Sequence, residues 1–121
     1  MEIQERCLNF AVGILKFADK LPKTPSGSVL VRQLVRSGTS IGANMEEADG
    51  ATSKKDFVNK VAIARKEARE THYWLRLIQR AELVPNESNK MELGKLIQEA
   101  NELMRILSAI VNKAKAKEDY K

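Results

Sequence analysis

Apolar residues recur along this chain at alternating intervals of three and four, and that spacing constrains the fold more than any other feature. Ile3, Cys7, Phe10, Ile14, Phe17 and Leu21 follow the rule in a first segment. An α-helix turns once every 3.6 residues, so the six share one seam of one helix. Leu30, Leu34, Ser37, Ile41, Met45 and Ala48 repeat the pattern, and Phe57, Val61, Ala64, Ala68, Thr71, Leu75 and Ile78 repeat it again. Leu93, Leu96, Ile97, Ala100, Leu103, Met104, Leu107, Ile110, Val111 and Ala114 form a fourth set. Nowhere does the chain alternate apolar and polar residues as a half-buried strand would.

The breaks between these sets carry helix-ending chemistry. "LPKTPSGS" holds two prolines and three candidate N-caps, Thr24, Ser26 and Ser28. "ADGATSKKD" offers Gly50 as a stop and Ser53 with Asp56 as a shortened capping box. "VPNESN" separates the last two sets, and the tail "NKAKAKEDYK" loses the seam and is expected to fray. The expected helices span about 2–20, 26–49, 54–81 and 87–115 within a single domain, residues 1–121. The third is a rod of roughly 40 Å. Four amphipathic helices with short connections predict an all-α, up-down antiparallel four-helix bundle.

One stretch tests this reading. "RSGTSIGANMEEADG", residues 36–50, has the composition of a loop or phosphate cradle. Yet Ser37, Ile41, Met45 and Ala48 keep the phase of the seam set upstream. The chain also lacks the G-x-x-x-x-G-K-[ST] and G-x-G-x-x-G patterns of nucleotide loops. The stretch is therefore expected to be helical. Gly38 and Gly42 would shave one face so that a neighbouring backbone can approach, at a local cost of about 1 kcal/mol each relative to alanine.

Charge narrows the function classes. Of 121 residues, 43% are apolar and 31% charged, with a net charge of +5 that suits anionic partners. Cys7 is the one cysteine, so no intrachain disulfide or cysteine-based metal site can form. Glu2, Glu5, Arg6, Lys16, Asp19 and Lys20 interrupt any secretory signal, and no apolar run reaches membrane-spanning length. A cytoplasmic location without membrane contact is expected. A metal-carboxylate bundle needs Glu-x-x-His pairs, but the single histidine, His72, follows Arg69 at that spacing. Neither enzyme activity nor a cofactor is expected.

The third helix is the most informative. Arg65, Arg69, Arg76 and Arg80 fall within a stripe about 60° wide, bordered by His72 and Tyr73. Such a stripe can track a phosphate backbone, with the rings stacking on unpaired bases. It can equally be a solvated face paired locally with Glu67 and Glu70. Ile63, Trp74 and Leu77 are expected nearly opposite the seam, as a subunit contact anchored by tryptophan would require. The alternative is a helix buried more deeply than the wheel assumes.

Residues 32–78 resemble the signature region of the four-helix proteins encoded within bacterial large-subunit rRNA intervening sequences. The matching positions are Gln33, Leu34, Arg36, Ser37, Ser40, Ile41, Asn44, Glu47, Ser53, Asp56, Phe57, Ile63 and Ala64. The motif departs at "EEADG", where many members have a plain Glu-Gly. The resemblance implies a four-helix bundle assembling into a ring-shaped homo-oligomer, often a pentamer. It implies structural roles for Arg36, Ser37, Ser40, Asn44, Glu47 and Asp56. A relative of the family, the accessory protein of diversity-generating retroelements, binds nucleic acid and a reverse transcriptase through a basic pentameric barrel.

Residues and resemblance together predict a noncatalytic, self-assembling scaffold that binds RNA or DNA. Arg65, Arg69, Arg76 and Arg80 would meet phosphates, joined by Arg32, Arg36, Lys54 and Lys55. Ile63, Trp74, Leu77, Gly38 and Gly42 would serve the oligomer interface. The rival is an adaptor whose arginine stripe meets an acidic protein partner, for example a reverse transcriptase or other nucleic-acid enzyme, without touching nucleic acid.

Overall fold

The computed structural model describes residues 2–119, which form α1 (Ile3–Ala18), α2 (Pro25–Asp49), α3 (Lys54–Arg80) and α4 (Glu87–Asp119). No strand occurs among the described residues. Each helix packs on its neighbours in sequence, and α1 also packs on α4. The directions follow from paired residues. Ile14 meets Gly38 and Cys7 meets Gly42, so α1 and α2 run antiparallel. Lys20 binds Glu92 while Arg6 binds Glu99 and Glu102, so α1 and α4 do too.

The seams converge on one core drawn from all four helices. Cys7, Phe10, Ile14, Phe17 and Leu21 are buried from the first, and Leu34, Ser37, Ile41, Met45 and Ala48 from the second. Val61 through Ile78 follow at every expected position of the third. Phe57, Ile110 and Ala114, at one end of the bundle, are only half-buried.

The middle stretch is helical throughout, and its hydroxyls show how. Thr39 Oγ1 donates to the Val35 carbonyl at 2.7 Å and Ser40 Oγ to that of Ser37 at 3.0 Å. The Asn44 amide donates to the Ser40 carbonyl at 2.8 Å. These polar groups are thus satisfied within their own helix. Ser37, fully buried, lies 2.8 Å from the hydroxyl of buried Thr71 and ties α2 to α3. Gly38 gives Ile14 of α1 its room: a Cβ there would sit 2.9 Å from two side-chain carbons of Ile14.

Helix ends follow local chemistry. Thr24 accepts from the Gly27 N–H at 3.1 Å, and Ser53 from the Asp56 N–H at 3.0 Å. Gly50 caps α2 without using glycine's freedom, since its φ is −91°. The left-handed position falls instead on Glu82, at φ 55° after α3. There the Leu83 N–H reaches the Ile78 carbonyl and the Glu82 N–H that of Gln79, the two bonds of a Schellman stop. The last helix runs past its expected end near residue 115. Lysine and alanine favour a helix without a seam, and α4 continues to Asp119. Tyr120 and Lys121 lie outside the described residues.

Candidate functional site

The arginine stripe runs along the exposed length of α3. Arg69, Arg76 and Arg80 are exposed and Arg65 is half-buried. Among the described residues, none of the four forms an ion pair. The carboxylates that could have neutralised them are held elsewhere. Arg36 reaches across from α2, donating to Glu67 at 3.0 Å and also to Glu70. Glu70 in turn accepts from the Trp74 indole N–H at 3.3 Å. Burial tends to raise the Glu70 pKa, but the hydrogen bonds from Arg36 and Trp74 outweigh it and hold the carboxyl below its usual range.

Arg36, expected among the phosphate contacts, has its guanidinium bound by two carboxylates and clasps α2 to α3. Trp74 also moves. It is half-buried against the core, on the flank of α3 that faces α2, while Ile63 and Leu77 are exposed on the outer side. Gly38 and Gly42 face α1 of the same chain, with Gly38 buried beneath Ile14.

Two concavities collect the stripe residues. Arg69 opens on a groove of about 500 Å³ whose other wall is α4: Asn101, Met104, Arg105, Ser108, Ala109 and Asn112. Further along, Tyr73, Arg76, Leu77 and Arg80 line a smaller depression of about 160 Å³. The Tyr73 and Trp74 rings meet edge-to-face at 5.2 Å. His72 is half-buried, and burial together with the Arg76 charge lowers its pKa. The imidazole is therefore neutral near pH 7 and adds no charge to the stripe. Arg32 is exposed on α2. Lys54 and Lys55 lie in the first turn of α3, by helix rise roughly 16 Å from Arg65 and about 40 Å from Arg80.

The α4 wall was missed from the sequence, although Asn101, Arg105, Ser108 and Asn112 recur at four, three and four. Counting polar residues as the apolar ones were counted would have found them. Equally legible was an outer stripe on α1, where Leu8, Val12 and Leu15 are 58%, 43% and 48% exposed. Large aliphatic groups at that exposure, two turns in register, are what an uncovered contact face looks like. Among the described residues, no three His, Cys, Asp or Glu side chains gather as metal ligands. Nor is any described helix long and apolar enough to cross a membrane.

Comparison with known proteins bears on the fold and the motif together. The family model described as 23S rRNA-intervening sequence protein matches residues 1–109. The chain belongs to that family. A crystal structure from the S23 ribosomal protein family, a Bacteroides thetaiotaomicron protein of unknown function, superposes with a TM-score of 0.80 at 37% identity. The match covers 91% of this chain and 98% of that one. No curated protein matches. Membership in the 23S rRNA-intervening sequence family therefore accounts for the four helices and the residues 32–78 motif, and assigns no biochemical activity.

Proposed function

We propose that this protein is a noncatalytic, self-assembling cytoplasmic scaffold that binds nucleic acid along the α3–α4 face. The observation that carries the reading is the unpaired arginine stripe, left cationic because Arg36 holds Glu67 and Glu70. Arginine forks suit phosphate oxygens, and Asn101, Asn112 and Ser108 add donors and acceptors that can meet sugars or base edges. Tyr73, half exposed between Arg76 and Leu77, offers a stacking ring.

Self-assembly has apolar groups of its own. Leu8, Val12 and Leu15 on α1 and Ile63 and Leu77 on α3 are apolar groups that a second copy would cover. A ring, with the pentamer as the family expectation, would align several stripes and multiply a charge of +5 per chain into a strong field.

The test is a titration of structured RNA and single-stranded DNA at two salt concentrations. Binding should weaken steeply with salt, and Arg69→Glu with Arg76→Glu should weaken it at least tenfold while the helical signal is unchanged. Indifference to those changes, or no binding at low salt, would defeat the reading.

A further inference from the structure

At one end of the bundle the core is left open, and the cause is a mismatch of lengths. Helix α1 has 16 residues while α4 has 33. Arg6 of α1 meets Glu99 and Glu102, and α1 begins only three residues earlier, at Ile3. Among the described residues, the last turns of α4 therefore run on past the start of α1 with no fourth helix beside them. Phe57 from α3 and Ile110 and Ala114 from α4 belong to the seams, yet there they floor a bay of about 310 Å³. Lys54, Lys113 and Lys117 form its rim. The acidic residues near the end of α2, Glu46, Glu47 and Asp49, do not line it.

The edge of α4 that faces α1 can be read at strict intervals of seven: Glu92, Glu99, Ile106, Lys113. Where α1 is present the edge is acidic and α1 answers with Lys20 and Arg6. Where α1 is absent the edge turns basic. Likewise Lys117 follows Leu96, Leu103 and Ile110 at sevens, replacing the seam with a cation at the mouth of the bay. The lane thus continues beyond α1 with its apolar floor kept and its charge reversed.

We infer that this bay is a docking site for an acidic amphipathic helix of a protein partner. The helix occupies the lane α1 leaves empty, placing one or two aliphatic side chains over Phe57, Ile110 and Ala114. Its flanking glutamates or aspartates meet Lys54, Lys113 and Lys117. This is helix-in-groove recognition, with side chains three and four apart supplying the apolar anchors. The bay lies apart from the arginine stripe, so the inference stands independently of nucleic-acid binding.

The probe is a synthetic two-heptad helical peptide with leucines on its seam and glutamates beside them, labelled with a fluorophore and titrated by anisotropy against the full chain. A twin with lysines for the glutamates is the control. Binding of the acidic peptide, weakened at least tenfold by Lys113→Glu with Lys117→Glu and abolished by Ala114→Trp, is the expected result. Ala114 is half-buried at the rim of the fold, and an unchanged melting curve shows that the bulkier variant is folded. Amide resonances of Lys54, Phe57, Ile110, Lys113 and Lys117 should shift on binding while those of Arg76 and Arg80 should not. Equal binding of the lysine peptide, or indifference to both variants, overturns the inference. So does displacement of the peptide by decanoate or by single-stranded DNA, or the same resonance shifts produced by raising the protein concentration alone. Those outcomes assign the bay to a lipid, a nucleic acid or a second copy.

Discussion

Gly38 and Gly94 are both glycines inside helices, and the same substitution should move them in opposite directions. A Cβ at Gly94 meets nothing within 4 Å, so Gly94→Ala gains only the helix propensity of alanine and should stabilise the fold by up to about 1 kcal/mol. At Gly38 the Cβ would press at 2.9 Å on branch carbons of Ile14, which is fully buried and cannot swing away. Gly38→Ala should therefore destabilise by about 1–3 kcal/mol, the usual cost of overfilling a packed core. Urea midpoints of the two variants decide the matter, and the Gly38→Ala penalty should shrink in an Ile14→Ala background, which removes both branch carbons. If Gly38→Ala is as stable as the parent, α1 does not approach α2 as described. Cys7, packed beside Gly42, makes a parallel case. Burial pushes its thiol up to about 11, so it should resist a thiol-specific disulfide reagent in the native protein and react fully in denaturant.

Between helices, the ion pairs show what could be read from the sequence and what could not. Each seam was legible because burial repeats with the helix period and needs no knowledge of neighbours, as Val61, Ala64, Ala68, Thr71, Leu75 and Ile78 show. Arg36, Glu67, Glu70 and Trp74 sit on flanks, where the outcome depends on which helix lies alongside and in what register. A wheel for α3 alone could not say that its α2-facing flank would take in the tryptophan and both glutamates, leaving the arginines bare. The register has a pH consequence. Hydrogen bonds from Arg6 hold the Glu99 carboxyl below its usual range, and Glu70 is held low by Arg36 and Trp74. A carboxyl depressed in the folded state stabilises fully above its unfolded pKa near 4.5, and that contribution is lost as pH falls through the folded value. Urea midpoints should therefore drop between about pH 5 and pH 3. Arg6→Met with Arg36→Met should flatten the drop. The cost at pH 7 is about 1 kcal/mol or less for the partly exposed Arg6–Glu99 pair and larger where Arg36 leaves the buried Glu67 carboxylate unpaired. An undiminished slope in the double variant would assign the acid sensitivity to other carboxylates.

For the molecule as a whole, assembly through α1 and polyanion binding are separable because they draw on different faces. The α1 stripe of Leu8, Val12 and Leu15 is apolar and far from the arginines of α3, and none of the three contributes to the described core. Changing Leu8 and Leu15 to glutamate should leave the fold intact, since both already face solvent. It should still dissociate an assembly that buries them, because a carboxylate desolvated in an apolar contact is costly unless paired. Sedimentation velocity should then show the parent as an oligomer and the variant as a 13.6 kDa monomer with an unchanged helical signal. If ring formation is what concentrates the stripes, the monomeric variant should bind a long RNA much more weakly than the parent. Its affinity for an oligonucleotide short enough to touch one chain should change little, because avidity is lost while the single-site contacts remain. An equal loss on both lengths would place α1 in the binding surface itself. A monomeric parent would remove α1 as an assembly face and leave the arginine stripe to act one chain at a time.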